Sequence, residues 1–320
     1  YDAVGRLGKE LKDIGVDGFR VDGAKHLIEE DRVQENTRAT HAWLKEFNHY
    51  YRELKPEALV VGEVWSASKD TAQYVNDGEF DLVFNFDLAE QFLNSASSGE
   101  ATMLNFALAG QARTFNPGRY AAFLSNHDQT RTMTRLNGDV QRAKAAATLL
   151  LTTPGTPFIY YGEEIGMSGT KPDPTLRTPM QWSAEANAGF TTGIPWQSTR
   201  LDFVEINVQA QTEDEESLLS HYRRLIRIRS NHYALRTGEY VAVTTGNTSL
   251  FGMLRVAENE SVLVLINLSD QPIPNPSLYL GPTSLRGTLR PSLLMGSGKP
   301  QNLILDENGQ AENFQPLSEI

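Results

Sequence analysis

The sequence predicts an α/β domain built around a parallel sheet, followed by a separate all-β domain. Short apolar runs alternate with longer helical patterns up to residue 235, a rhythm typical of repeated βα units. Beyond this point, short alternating runs with turn residues and without a long helical pattern indicate a β-sandwich. A chain of 320 residues is long enough for about two domains. We therefore predict domains over residues 1–235 and 236–320.

Five apolar runs of the first domain are predicted as strands, because parallel strands are buried on both faces and stay apolar. They cover residues 16–22, 58–63, 81–86, 120–126 and 156–161. Periodic stretches predict helices over residues 2–14, 38–54, 88–112, 140–152 and 217–230. The Gly- and Pro-rich stretch 162–197 is too long for an ordinary connection and is predicted as a functional loop region. In the second domain, the run 261–267 predicts a strand.

Composition and charge argue against several classes of protein. The 29 basic and 40 acidic side chains give a formal net charge of −11, which disfavours binding to nucleic acid or to an anionic membrane surface. A neutral, polyhydroxylated or cationic ligand fits this charge better. The chain has no cysteine, which excludes disulfides and thiolate metal sites. The basic run 221–229 has the periodicity of an amphipathic helix with a solvated face.

A charged pair lies at the end of the first predicted strand. In the segment Gly-Phe-Arg-Val-Asp, Arg20 and Asp22 share one face, because side chains along a strand alternate with a period of two. An arginine beside a carboxylate holds it ionised, which suits a nucleophile. The alternative is an ordinary ion pair at a strand end.

The second predicted strand ends at Glu63, and Trp65 follows two residues later. An apolar surrounding raises the pKa of a carboxyl group, as a general acid requires. The indole ring of Trp65 could also stack on the face of a sugar. The alternative is that Glu63 opens the following helix, where a negative charge is favourable.

Three polar side chains, Asn126, His127 and Asp128, follow the apolar part of the fourth predicted strand. An Asx turn is the alternative explanation for them. If the strands belong to one barrel, the carboxylates of Asp22, Glu63 and Asp128 converge, because active sites lie on the C-terminal face of such a barrel. Paired carboxylates serve glycosidic cleavage, since one protonates the leaving oxygen while the other attacks the anomeric carbon.

These segments resemble the conserved regions of the α-amylase family of glycoside hydrolases. Residues 18–26 are similar to the family's nucleophile segment, residues 62–65 to its acid/base segment and residues 123–128 to the remaining region. The segments 154–167 and 177–182 are similar to those around the last barrel strand. The resemblance covers nearly the whole chain. It implies strands four to eight of a (β/α)8 TIM barrel, followed by the family's C-terminal β-sandwich.

The resemblance implies retaining hydrolysis of α-1,4-glucosidic bonds in starch, glycogen or maltooligosaccharides. Asp22 stands in the place of the nucleophile, Glu63 in that of the proton donor, and Asp128 in that of the carboxylate that stabilises the distorted transition state. No redox or phosphate cofactor is implied. The side chains expected to bind substrate are Arg20, Lys25, His26, Trp65, Asn126 and His127.

Different segments of the sequence resemble different subclasses of the family. Lys25 and His26 resemble the pair that serves the leaving-group subsites of α-amylases, and the resemblance implies that the backbone carbonyl of His26 binds Ca²⁺. The alternative is a histidine that begins a helix with no calcium nearby. The segments 177–182 and 189–193 instead resemble exo-acting oligosaccharide α-glucosidases and trehalose-forming relatives. We favour an endo-acting α-amylase, with an exo-acting α-glucosidase or a trehalose synthase-like glucosyl transferase as alternatives.

The chain begins at the helix before what resembles the fourth barrel strand. Five strands cannot close an eight-stranded barrel, and the open edges would expose backbone groups. We therefore expect that the preceding residues, with most calcium ligands, were cleaved, belong to another chain or were deleted, or that the piece pairs with another copy.

The isolated chain is then expected to show little catalysis. The rival hypothesis is a non-catalytic glucan-binding protein with an amylase-like body. A secreted or periplasmic location fits an amylase, and a cytoplasmic location is the alternative.

Overall fold

The computed structural model describes Asp13 and residues 15–320. The helix predicted over residues 2–14 lies, apart from Asp13, outside the described residues. The chain forms two compact units. The first contains residues up to 88, 110–123 and 155–157, and the second contains residues 89–109, 124–154 and 158–320. The predicted domain boundary after residue 235 stays a prediction.

A five-stranded parallel sheet is the framework of the first unit. Its strands follow one another in chain order, and every neighbouring pair is parallel. The five predicted parallel strands are confirmed, although each is shorter than predicted. The last one ends at Pro157, because proline has no N–H to continue the ladder. The strands are β1 Gly18–Val21, β2 Leu59–Gly62, β3 Leu82–Phe84, β4 Tyr120–Ala122 and β5 Thr156–Pro157.

Helices connect these strands and continue beyond them. The α-helices of the described residues are α1 Arg38–Leu54, α2 Ser68–Asn76, α3 Phe86–Ser98, α4 Thr102–Thr114, α5 Thr132–Arg135, α6 Val140–Thr152, α7 Asp173–Leu176, α8 Val208–Thr212, α9 Leu218–Asn231 and α10 Tyr233–Thr237. Short 3₁₀ helices cover Ala24–His26, Glu163–Ile165, Ala186–Gly189 and Leu201–Val204. The stretch 162–197, predicted as a functional loop region, contains only α7 and two 3₁₀ helices, each of three or four residues. This confirms that it is a loop region, while its function stays a prediction.

Capping residues explain why two helices begin where the sequence predicts. The Thr37 hydroxyl accepts a hydrogen bond from the backbone N–H of Thr40 at 3.0 Å, and α1 starts at the next residue after Thr37. The Asp139 carboxylate accepts from two backbone N–H groups, at 2.9 and 3.1 Å, at the start of α6. Both helices have the predicted bounds, and α9 starts one residue later than predicted.

The single helix predicted over residues 88–112 is wrong, because two helices occupy this stretch. Helix α3 ends at Ser98, and Gly99 adopts a left-handed φ of 78°. Glycine at this position terminates a helix without steric cost, so the apolar pattern continues in sequence while the helix does not. The backbone N–H of Ala101 then donates to the carbonyl of Thr248 at 2.7 Å before α4 begins.

The second unit contains antiparallel strands, which are β6 Glu239–Thr244, β7 Leu250–Val256, β8 Ser261–Asn267, β9 Leu278–Leu280, β10 Gly287–Leu289, β11 Leu303–Leu305 and β12 Ala311–Phe314. Five of them form a sheet of order β12-β9-β6-β7-β8, and β10 pairs with β11. Side chains from both sheets, among them Leu254 and Leu303, share one apolar cluster. The strand predicted over residues 261–267 is confirmed, whereas the sandwich arrangement stays a prediction.

The basic run at residues 221–229 lies on α9 as an amphipathic helix, as predicted. Tyr222 and Leu225 are buried, while Arg223 and Arg224 are exposed. Arg229 is the exception, since it is buried and donates to the carbonyls of two residues at the end of α6. Within the described residues, none of the helices has the length and apolar character needed to cross a membrane.

Candidate active site

Asp22 and Glu63 occupy neighbouring positions at the C-terminal ends of adjacent strands. The register of β1 and β2 pairs Val21 with Gly62, so the two acidic residues are the next pair along. The ladder continues through them, because the Glu63 N–H donates to the Val21 carbonyl at 2.9 Å and the Ala24 N–H donates to the Glu63 carbonyl at 3.0 Å. Parallel pairing therefore brings the two carboxylates to one edge of the sheet.

A single guanidinium group contacts both carboxylates. Arg20 Nη1 lies 2.8 Å from Asp22 Oδ1, and Arg20 Nη2 makes a short contact with Glu63 Oε2. The first contact confirms the pairing predicted from the strand period. The contact with Glu63 was not predicted, because it depends on the register between two strands that lie about 40 residues apart.

The two carboxylates differ in exposure. The side chain of Asp22 is 76% exposed, whereas that of Glu63 is only 12% exposed. On the opposite face of β2, Gly62 lets the Phe80 ring pack against the backbone, since a Cβ atom there would lie 2.3 Å from that ring. The sheet edge thus presents one open and one largely enclosed carboxylate, both in reach of Arg20.

Trp65 lies close to this pair in sequence and presents an aromatic surface. It is 54% exposed, and its ring stacks on Phe86 with centroids 4.6 Å apart and planes 7° apart. Phe86 in turn packs edge-on against Phe123 at 5.1 Å. The stacked partner fixes the orientation of the indole, which suits a role as a platform for a sugar ring.

Lys25 and His26 lie on the short 3₁₀ helix Ala24–His26, at the end of the segment 18–26. Lys25 Nζ forms an ion pair with Glu35 Oε2 at 2.5 Å, and this hydrogen bond lowers the pKa of the Glu35 carboxyl. His26 Nδ1 lies 3.1 Å from the carbonyl oxygen of Gln34. Substrate binding by Lys25 and His26 stays a prediction. Among residues 15–320 and Asp13, no group of three or more His, Asp or Glu side chains could hold a metal ion. Calcium binding by the His26 carbonyl stays a prediction.

Asn126, His127 and Asp128 come together in the second unit. The Asp128 N–H donates to Asn126 Oδ1 at 2.9 Å, so the Asx turn offered as an alternative explanation is present. His127 Nε2 lies 3.3 Å from Asp128 Oδ2. The turn orients the Asp128 carboxylate, and a role in substrate binding is compatible with it.

Arg177 is a further site residue that the sequence reasoning did not single out. Its Nη2 lies 2.6 Å from Asp128 Oδ1 and 2.9 Å from Asp173 Oδ2, and its Nε donates to the His127 carbonyl at 3.0 Å. The signal in the sequence is its position at the start of the segment 177–182, which resembles a conserved family segment.

For the glucan hydrolysis that the family resemblance implies, replacing Arg177 by glutamine should lower kcat/KM on maltoheptaose roughly tenfold, because Asp128 loses a charge-assisted hydrogen bond that fixes its orientation. The matched control is Arg135→Gln. Arg135 has a similar exposure, 35% against 37%, and is paired with Glu90. Equal kinetics for the two variants would show that Arg177 does not position Asp128.

Asp22 and Glu63 belong to the first compact unit, and Asn126, His127 and Asp128 belong to the second. The structure therefore gives the geometry of each group within its own unit. The convergence of all three carboxylates stays a prediction from the order of the parallel strands.

The sequence of this chain is similar to those of known proteins along most of its length. A profile of the alpha-amylase catalytic domain matches residues 3–238. Alpha-amylase 3 of Dictyoglomus thermophilum is 33% identical over 274 residues, which cover 84% of this chain and 53% of that protein. An oligo-1,6-glucosidase of Parageobacillus thermoglucosidasius is 29% identical over 328 residues, which cover 81% of this chain and 58% of that protein.

The same similarity is seen among solved structures. The crystal structure of an alpha-amylase from H. orenii superposes with a TM-score of 0.78 at 30% identity, covering 99% of this chain and 62% of that chain. The chain spans between one half and two thirds of the length of these relatives.

Proposed function

The chain belongs to the α-amylase family of glycoside hydrolases, and we propose that the protein hydrolyses α-1,4-glucosidic bonds in starch, glycogen or maltooligosaccharides with retained configuration. Its fold is the TIM-barrel-like fold of that family, with a parallel sheet and an antiparallel β region. The assignment of its sheet to barrel strands four to eight stays a prediction. The observation that carries the proposed function is the contact of one guanidinium, Arg20, with the carboxylates of Asp22 and Glu63.

Two carboxylates within reach of one guanidinium suit the retaining reaction, in which the carboxyl groups are about 5–5.5 Å apart. In the first step, Glu63 gives its proton to the glycosidic oxygen while Asp22 forms a bond to the anomeric carbon and the glycosidic bond breaks. In the second step, ionised Glu63 takes a proton from water, and the water oxygen displaces Asp22 from that carbon. Each step inverts the anomeric carbon, so the product keeps the α configuration.

The remaining site residues have supporting roles in this proposal. Asp128 and His127 hold substrate hydroxyls, and Arg177 keeps the Asp128 carboxylate oriented. Trp65 offers its half-exposed ring to a sugar face. These interactions strengthen as the ring flattens toward the oxocarbenium-like transition state, which is where binding accelerates the reaction.

The names of the relatives support two modes of action. One relative is named as an alpha-amylase and another as an oligo-1,6-glucosidase. We propose the endo-acting amylase as the main function. The exo-acting α-glucosidase and the trehalose synthase-like transferase are alternatives that use the same glycosyl intermediate, with water or a sugar as the acceptor. A non-catalytic glucan-binding protein is the alternative from another class.

Incubation of the full encoded polypeptide with maltoheptaose separates these functions. Internal cuts that release α-anomers, observed by chromatography and early NMR spectra, would support the amylase. Release of glucose alone indicates the α-glucosidase, and new glycosidic products without new reducing ends indicate the transferase. Initial β-anomers would contradict retention, and binding without any product would favour the non-catalytic protein. Calcium at the His26 carbonyl stays a separate proposal, which is tested by comparing thermal unfolding with Ca²⁺ and with EGTA.

A further inference from the structure

Glu163 is a buried carboxyl group that no step of the proposed reaction uses. It lies on the short helix Glu163–Ile165 and is 5% exposed. Its Oε1 accepts a hydrogen bond from the Tyr222 hydroxyl at 3.0 Å, and its Oε2 accepts one from the Thr132 hydroxyl at 2.8 Å. The Ser125 hydroxyl lies 3.5 Å from the same Oε2 and 3.2 Å from Thr132 Oγ1. All four side chains are buried and belong to the second unit.

Two of these hydroxyl partners, Ser125 and Thr132, flank in sequence the residues that hold the substrate in the proposed function. Ser125 directly precedes Asn126, and Thr132 follows Asp128 by four residues at the start of α5. The chain between them has no regular secondary structure. Glu163 therefore links the two ends of this segment, residues 125–132, to each other and, through Tyr222, to α9.

We propose that Glu163 is a positioning residue that holds the segment 125–132, and with it His127 and Asp128, in the geometry needed for catalysis. The inference rests on the proposed function for the role of Asp128. The contacts of Glu163 with Thr132, Ser125 and Tyr222 hold independently of that role.

The surroundings of Glu163 give it an unusual charge state. Burial raises the pKa of its carboxyl to about 7, the hydrogen bonds from Thr132 and Tyr222 and the charge of Arg131 oppose this rise, and the charge of Glu164 adds to it. Among the groups that affect this pKa, Arg131, Glu164 and Tyr222 are titratable. Arg131 donates its own hydrogen bonds to backbone carbonyls, so the ionised carboxylate is held mainly by neutral hydroxyl groups.

The direction of the pH effect follows from this raised pKa. The carboxyl has a reference pKa of 4.5 and a folded pKa of about 7, so the folded protein binds an extra proton between these values. The stability contributed by Glu163 is fully present below pH 4.5 and is lost as the pH rises through about 7. The segment 125–132 should therefore loosen as the pH rises through that range.

Three variants of the full encoded polypeptide test the proposal. Glu163→Gln keeps the shape and a hydrogen-bond acceptor but stays neutral at every pH, whereas Glu163→Leu removes the hydrogen bonds. Glu164→Gln is the matched control, because it replaces another largely buried carboxyl in the same short helix whose hydrogen bonds are with backbone groups.

Hydrogen exchange, corrected for intrinsic rates, measures how strongly the backbone amides of the segment 125–132 are protected. This measurement does not require enzymatic activity. Between about pH 6 and 8.5, protection should fall by about tenfold in the wild type, less steeply with Glu164→Gln because the charge of Glu164 no longer adds to the raised pKa of Glu163, and least with Glu163→Gln. With Glu163→Leu, protection should be low at both pH values. Wild-type protection of this segment in Glu163→Leu would refute the positioning role, even if Glu163→Leu folds poorly elsewhere. A wild-type dependence of protection on pH in Glu163→Gln would refute it as well.

The ratio of kcat for a variant to kcat for the wild type, measured at one pH, gives the functional readout. For Glu163→Leu this ratio should lie about tenfold below one, because His127 and Asp128 lose their fixed geometry, whereas for the isosteric Glu163→Gln and for Glu164→Gln it should stay within about twofold of one. A wild-type kcat for Glu163→Leu contradicts the inference. Absence of glucan hydrolysis by the wild type would instead contradict the proposed function, and the exchange experiment would still decide the role of Glu163 in holding the segment.

Discussion

Replacement of Asp22 by asparagine should lower kcat on maltoheptaose by at least about 10³-fold. The amide has nearly the same shape and can still accept a hydrogen bond from Arg20, but it cannot form the bond to the anomeric carbon. Because the Asp22 side chain is largely exposed, the fold should be unaffected. Steady-state kinetics together with thermal unfolding measure both effects.

Asp17→Asn is the matched control for this variant. Asp17 precedes β1 as Asp22 follows it, and it is also an exposed aspartate in an ion pair, with Lys55 at 2.7 Å. Its replacement should leave kcat within about twofold, as is usual for exposed pairs. An Asp22→Asn variant with more than a tenth of wild-type activity would exclude Asp22 as the nucleophile.

Replacement of Glu63 by glutamine should lower kcat on maltoheptaose by about 10³-fold, because the leaving oxygen is no longer protonated. The loss should depend on the leaving group. On an α-maltosyl fluoride, whose fluoride leaves without protonation, the first step should proceed at close to the wild-type rate and the glycosyl enzyme should accumulate. Azide, which needs no general base, should then restore turnover and give an α-glycosyl azide.

Glu57→Gln is the control for Glu63, since Glu57 is exposed and lies just before β2 as Glu63 lies just after it. It should behave as the wild type on both substrates. If the Glu63→Gln variant were as slow on the fluoride as on maltoheptaose and insensitive to azide, the assignment of Glu63 as acid and base would be wrong. The proposed mechanism would then need another proton donor.

The parts of the fold that local chemistry determines could be predicted from sequence. Helices α1 and α6 have side-chain caps that mark their first residues, and the parallel strands are marked by uninterrupted apolar runs. The break at Gly99 could not be predicted in the same way, because the apolar spacing continues across it while the backbone turns left-handed.

The contacts of the candidate site also differ in whether local sequence predicts them. The pairing of Arg20 with Asp22 follows from the period of one strand, and the structure confirms it. The contact of Arg20 with Glu63 depends on register, and that of Arg177 with Asp128 joins residues 49 positions apart through an irregular stretch. Contacts of this kind are set by tertiary packing, so the sequence of either partner alone does not specify them.

In the proposed reaction, the contact of one arginine with two acids also determines how the net charge of this corner of the site, formed by Arg20, Asp22 and Glu63, changes during a turnover. With Glu63 protonated, the charges of Arg20 and Asp22 cancel, so a neutral sugar binds to a neutral corner of the site. When Glu63 gives up its proton, the corner acquires one negative charge at the moment when positive charge develops on the anomeric carbon. A side-chain set fixed before the substrate arrives thus becomes complementary to the transition state through the movement of a single proton.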